Sequence, residues 1–245
     1  MKQERALRTR ESLIRAAADA FASGGFEATS LGRICTGAGT SMGALTFHFR
    51  SKAALADTVQ RQGVEITGEV VRRISRTHQL PLETVIAITL AVVGLLEESS
   101  VVRAAAGLSR ERGATASLWH SSWVPVIEEH VTRVPEETLG PGTHPRVLLS
   151  LATHLVTGAE ALIHTGGQAV GPDRVRPVSQ VAEIWEFTLR GATPAVRLPG
   201  AAADRGAPAE RSGTGPGGGG RCCSGDLPRS GADLARGWDA PPLPP

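Results

Sequence analysis

The sequence predicts an all-α fold, and three observations carry that prediction. Apolar residues recur every three to four positions over most of the first 190 residues. No stretch alternates apolar and polar residues convincingly enough for a sheet. Clusters of Gly, Pro, Ser and Thr fall between the periodic stretches, where caps and turns are needed. At 245 residues the chain can bury a sizeable core as one large or two small domains. Four segments are expected: an N-terminal three-helix helix-turn-helix domain (1–51), a connecting helix (52–76), a larger helical domain (77–192) and a tail (193–245).

The elements follow in order. Leu13, Ala17, Ala18 and Phe21 mark one face of a first helix, which Gly24-Gly25 should end. Thr29 or Ser30 can cap a short second helix running to Gly37, with Leu31 and Ile34 inward. Ser51 can cap a long helix with Leu55, Val59, Ile66, Val70 and Ile74 along one face. His78 to Pro81 interrupt it. Residues 82–98 are apolar nearly all round and should form a central helix. Helices are then expected at 100–112 and 116–133, a Gly/Pro loop from Pro135 to Pro145, and helices at 145–165 and 173–191. The final segment contains GTGPGGGGRCCSGDLP and WDAPPLPP; it is too poor in apolar residues to offset the entropy of ordering, so disorder is expected.

Charge is unevenly distributed. Residues 1–76 carry 12 basic and 7 acidic side chains, whereas residues 77–192 carry 8 and 12. A basic front suggests an anionic partner, for which nucleic acid is the usual candidate, although a solvated helix face gives the same count. The start, MKQERALRTRESL, is charged rather than apolar, unlike a signal peptide. Val85 to Leu96 is about half a membrane span and reads as a buried helix. Three cysteines form no disulfide framework and no CxxC pair. Together these features point to a cytoplasmic protein with no membrane partner.

The stretch TGAGTSMGALTFHFRSK, Thr36 to Lys52, has the pattern of a helix-turn-helix. Ala38 is small enough for two helices to approach, and Gly39 permits the positive φ of a sharp turn. Ser41 can cap the second helix and offer a hydroxyl to a phosphate. Gly43 and Ala44 leave room beside a sugar–phosphate wall. Leu45 and Phe49 should turn inward, with Phe47 and His48 near the far end. Arg5, Arg8 and Arg10 ahead of the first helix and Lys52 behind the reading helix offer cations to a DNA backbone.

On these residues the chain resembles the TetR family. GAGTSMGALTFHFRSKAAL looks like the family's DNA-binding segment, and GALxFHF is similar to the γ-butyrolactone autoregulator receptors of actinomycetes and their relatives. Similar blocks recur at 100–113 (SVVRAAAGLSRERG), at Trp123 and at 144–160 (HPRVLLSLATHLVTGAE), so the resemblance covers roughly residues 5–190. It implies a homodimeric repressor of a palindromic operator in double-stranded DNA, released by a small apolar ligand such as a γ-butyrolactone. The DNA-facing set it implies is Ser30, Gly39, Thr40, Ser41, Met42, Gly43, Ala44, Thr46, Phe47 and His48. Members usually carry Lys where Met42 stands, Tyr where Thr46 stands and Val where Thr40 stands. Losing the Lys should remove about one released counterion per subunit, which weakens binding without selecting a sequence. Met42 can instead touch a thymine methyl.

Trp119 and Trp123, four apart and expected on one helical face, each offer an indole N–H to a ligand carbonyl. The receptors' pattern singles out Trp123; core or interface packing is the plainer reading of both. The pI near 8.7 and the altered reading helix lean toward relatives that answer to antibiotics or biosynthetic intermediates. Leu151, Leu155, Val181, Ile184, Trp185 and Leu189 are expected to form the dimer interface.

Catalysis and metal binding find no support. None of the seven His pairs at four-residue spacing, and no GxSxG, P-loop or dinucleotide fingerprint appears. No cofactor is expected. The rival reading is a homologue with weakened DNA binding that sequesters a ligand or pairs with a related repressor.

Overall fold

The computed structural model describes residues 2–78, 80–112, 117–139, 144–165 and 176–190. The expectation for the tail, which holds Cys222 and Cys223, falls outside them. Among the described residues every regular element is a helix.

Helix α1 (Lys2–Ala28) is broken at Gly25, whose φ of 73° and ψ of 178° end the first run where the double glycine is expected to. The short α2 (Leu31–Gly37) is capped by Ser30, whose side chain accepts from the Arg33 N–H, and α3 (Met42–His48) by Ser41, which accepts from Ala44. Ser51 does the same for α4 (Lys52–Thr77), which ends at His78. Pro81, without an N–H to lose, opens α5 (Pro81–Glu98).

A bend of 101° separates α5 from α6 (Ser100–Glu111). Ser99 caps α6 through the Val102 N–H. Arg103 closes α5 from the other side, its Nη1 donating to the carbonyls of Leu96 and Glu97 at 2.9 and 2.7 Å. Side chains from both sides thus satisfy several of the end groups at this sharp corner.

The helix expected over 116–133 is two: α7 (Ser117–His120) and α8 (Val124–Val131). Pro125 is the physical reason. In the middle of a helix its ring would clash with the preceding turn, so the chain turns at Ser121–Trp123 and restarts with Pro125 in the first turn. The expected Pro135–Pro145 loop contains a one-turn helix, α9 (Glu136–Leu139). Then come α10 (Arg146–His164) and α11 (Pro177–Leu189). The N-terminal end of α11 is held by Glu97, which accepts from the Arg176 guanidinium and from the Val178 N–H at 2.6 Å.

Length and composition alone would let α10 cross a membrane, a property shared with core helices. Here Leu148, Ala152, Val156 and Ala159 are buried, and α10 packs against α5 and α8.

Among the described residues, those through Val181 form one compact unit and those from Ala182 belong to a second. No separation appears at the boundary expected at residue 51, because α6 lies along both α1 and α4. Leu13, Ala17, Phe21, Ile34, Leu45, Phe49, Leu55 and Val59 share one core with Ala104 and Leu108 of α6. Gly63 of α4 makes this approach possible: a Cβ there would lie 2.4 Å from that of Ala105 and 2.9 Å from the Val101 carbonyl.

Candidate nucleic-acid interface

The turn between α2 and α3 is held by its own backbone. Ala38 N–H donates to Ile34, Gly39 N–H to Thr36 and Thr40 N–H to Cys35, at 2.9, 3.2 and 3.0 Å, with Gly39 at φ 60°. Leu45 and Phe49 are buried and anchor α3 in the common core. The rest of α3 faces outward: Met42, Gly43, Thr46 and Phe47 are exposed, with Ala44 and His48 half-buried. Phe47 is 82% exposed and Met42 46%.

Two side chains do not stand as expected. The Thr46 hydroxyl donates back to the carbonyls of Met42 and Gly43, both at 3.1 Å, so its proton is engaged within the helix. Lys52 is drawn away from the surface: its Nζ donates to the carbonyls of Phe26 and Thr29 at 2.8 and 3.1 Å and lies 4.3 Å from the Phe26 ring centre. Carbonyls at the end of α1 are electronegative and without helical partners, which makes them a natural seat for an ammonium group. As a backbone cation Lys52 is therefore corrected to a capping residue.

Arg5, Arg8 and Arg10 are exposed along α1; Arg8 pairs with Glu4, and Arg10 lies over the Phe49 ring at 5.5 Å. Arg33 and Arg50, which the sequence reading left out, are exposed on α2 and directly after α3. Their sequence signal was plain: cations flanking the two helices of the motif.

In the second part of the compact unit, Trp119 and Trp123 are both fully buried, with ring centres 5.8 Å apart. They meet across the α7–α8 turn, not on one helical face. Their polar groups differ. Trp119 Nε1 donates to Thr67 Oγ1 of α4 at 3.2 Å, whereas the buried Nε1 of Trp123 has no partner among the described residues. Further along α8, His130 shares a 2.8 Å hydrogen bond with Ser75, and burial, aided by Arg133, lowers its pKa below 6.5 against the opposing pull of Glu129.

A cleft lined by Leu96, Arg103, Arg110, Glu160 and His164 has both arginines engaged: Arg110 with the buried Glu160, Arg103 with the end of α5. Among the described residues no group of three His, Cys, Asp or Glu is placed to hold a metal.

Of the residues expected at a dimer interface, Leu151 and Leu155 are half-buried, and Ile184 and Leu189 are exposed. Val181 and Trp185 are buried. Phe187, 68% exposed, was not foreseen.

Residues 13–59 match the bacterial regulatory proteins of the tetR family. None of the curated proteins compared with the chain matches it. Among solved structures, a gamma-butyrolactone receptor described as ArpA-like is 25% identical, with a TM-score of 0.58 over 78% of this chain and 91% of that one. CprB of S. coelicolor A3(2), a TetR family protein, is 27% identical with the same TM-score, over 76% and 89% of the two chains. CprB from Streptomyces coelicolor in complex with its biological operator sequence is 26% identical, with a TM-score of 0.55 over 78% and 91%. A capped helix-turn-helix on a shared helical core, matched over residues 13–59 by the tetR family's model and over most of the chain by those structures, gives this chain a tetR-type DNA-binding domain and a fold similar to that of the gamma-butyrolactone receptors.

Proposed function

We propose that the protein is a homodimeric cytoplasmic repressor that binds a palindromic operator and leaves it when a small apolar ligand enters beside Trp123. One observation carries the ligand half of this reading: a fully buried indole N–H without a partner, beside a second Trp whose N–H is already used. An unmade buried hydrogen bond is costly, and a carbonyl oxygen on an otherwise apolar molecule would satisfy it. A γ-butyrolactone has that chemistry, as do many antibiotics and their biosynthetic intermediates.

The dimer is supported by exposed apolar side chains on two helices, Val147 and Leu162 on α10 and, separately, Ile184, Phe187 and Leu189 on α11. Two copies would set their α3 helices about one DNA turn apart, roughly 34–36 Å, which calls for a palindrome. Release follows if the ligand prefers a state in which that spacing is lost; a tenfold preference corresponds to about 1.4 kcal/mol. A route for the coupling runs from Trp119 through Thr67 to α4, and from α4 to α6 through Gln60 Nε2, which donates to Ser109 Oγ at 2.8 Å.

The second reading, a ligand sink or heterodimer partner, is favoured by the absence of Lys and Arg from Met42 to His48 and by the internal bonds of Thr46. Fluorescence anisotropy of a labelled operator separates the two. A repressor binds the duplex and is displaced by butyrolactone or antibiotic, and Trp123→Ala keeps binding but loses displacement. A sink binds ligand and shifts no DNA. Displacement of the variant at the wild-type ligand concentration would remove Trp123 from the site.

A further inference from the structure

We infer that Met42 and Phe47 read thymine through its C5 methyl group, one at each side of the reading helix. The inference rests on the DNA-binding reading above and adds the class of base contact. From Met42 to His48 the sequence is MGALTFH, with no Arg, Lys, Asn, Gln, Asp or Glu. The side chains that make bidentate hydrogen bonds to guanine or adenine, or accept from cytosine, are therefore missing from the helix. The one exposed hydroxyl, Thr46, has its proton committed to the Met42 and Gly43 carbonyls.

What the helix presents outward is apolar. Phe47 is the most exposed of the protein's large hydrophobic side chains described here, and Met42 is nearly half exposed. At about 100° per residue they stand roughly 140° apart around the helix, with Gly43 and Thr46 between them. Gly43 has no side chain to hold the helix off, and a Cβ there would find nothing nearer than 3.9 Å. The Phe47 ring is steadied by an edge contact with His48, centroids 5.1 Å apart at 82°. The apolar feature that a major groove offers to such a surface is the thymine methyl. Being on opposite flanks, Met42 and Phe47 meet methyls of different base pairs. Specificity then comes from removing methyls and side-chain area from water, while the flanking arginines hold the phosphates.

Replacing thymine by uracil deletes this methyl and leaves every hydrogen-bonding group in place. A duplex enriched from a randomised pool is substituted with deoxyuridine at one thymine at a time, and binding is measured by anisotropy. Two positions in each half-site should weaken by roughly threefold to fivefold, the value of one buried methyl. Phe47→Ala should erase the thymine preference at one of them and Met42→Ala at the other. Circular dichroism should show both variants folded, since neither side chain is in the core. If deoxyuridine binds as tightly as thymidine throughout, or both preferences survive in the variants, the inference falls and the DNA-binding reading stands. If a folded, dimeric protein enriches no duplex, both fall.

Discussion

The carboxylate of Glu111, at the end of α6, accepts the backbone N–H of Phe26 at 2.7 Å. A residue 85 positions away thus holds the break at the end of α1, beside the helix-turn-helix. Arg112 reinforces the joint, lying 5.1 Å from the Phe26 ring centre and pairing with Asp57 at 2.6 Å. Gly25 is at its centre: φ is 73°, and a Cβ would meet Glu111 Oε1 at 2.7 Å. Glu111→Ala should therefore cost about 1 kcal/mol, and Gly25→Ala more, about 1–3 kcal/mol, because strain adds to the clash. Urea denaturation measures both. A Gly25→Ala variant as stable as the wild type would contradict the joint as described.

The two buried tryptophans should separate in stability. Trp119→Phe and Trp123→Phe leave similar gaps, but only the first breaks a hydrogen bond, that to Thr67. Trp119→Phe should be the less stable by about 1 kcal/mol in denaturation of the ligand-free protein. The opposite order would mean that the Trp123 indole N–H has a partner in solution.

Lys52 should behave as a cap. Lys52→Met should destabilise the protein by about 1–3 kcal/mol, since three α1-end carbonyls lose a charged donor. The slope of log affinity against log salt should not change. A direct phosphate contact would instead lower that slope by about 0.9 per subunit. Arg50→Ala, at an exposed cation beside α3, is the comparison expected to lower it.

His130 gives stability a pH dependence of known sign. Its folded pKa lies below the usual 6.5, so the unfolded chain binds the proton more readily. The contribution is complete above the unfolded value and is lost as pH falls from about 7 through 6.5 toward the folded value. His130→Gln should flatten this part of the profile. Parallel wild-type and variant urea midpoints between pH 7.5 and 5.5 would argue against it.

Much of this architecture was legible because local chemistry agrees with the tertiary result. Ser30, Ser41 and Ser51 each cap the helix that follows them, and Gly25 and Gly39 have the positive φ their positions suggest. The break at Ser121–Trp123 was hidden because the four-residue Trp spacing fits a helix; Pro125 was the signal against it. The place of Lys52 was hidden for a different reason. Periodicity says that a side chain is cationic or apolar and on a face, but not which distant group covers it. The buried polar pair of Gln60 and Ser109, on what reads as an apolar seam, was likewise invisible until α4 and α6 met.

Selection from a randomised duplex pool at low salt, with protein shown to be folded and dimeric, tests the central claim most directly. The account predicts enrichment of a palindrome whose half-sites lie about one helical turn apart. A pool that stays random through successive rounds would contradict it, leaving a ligand-binding homologue that has lost the duplex.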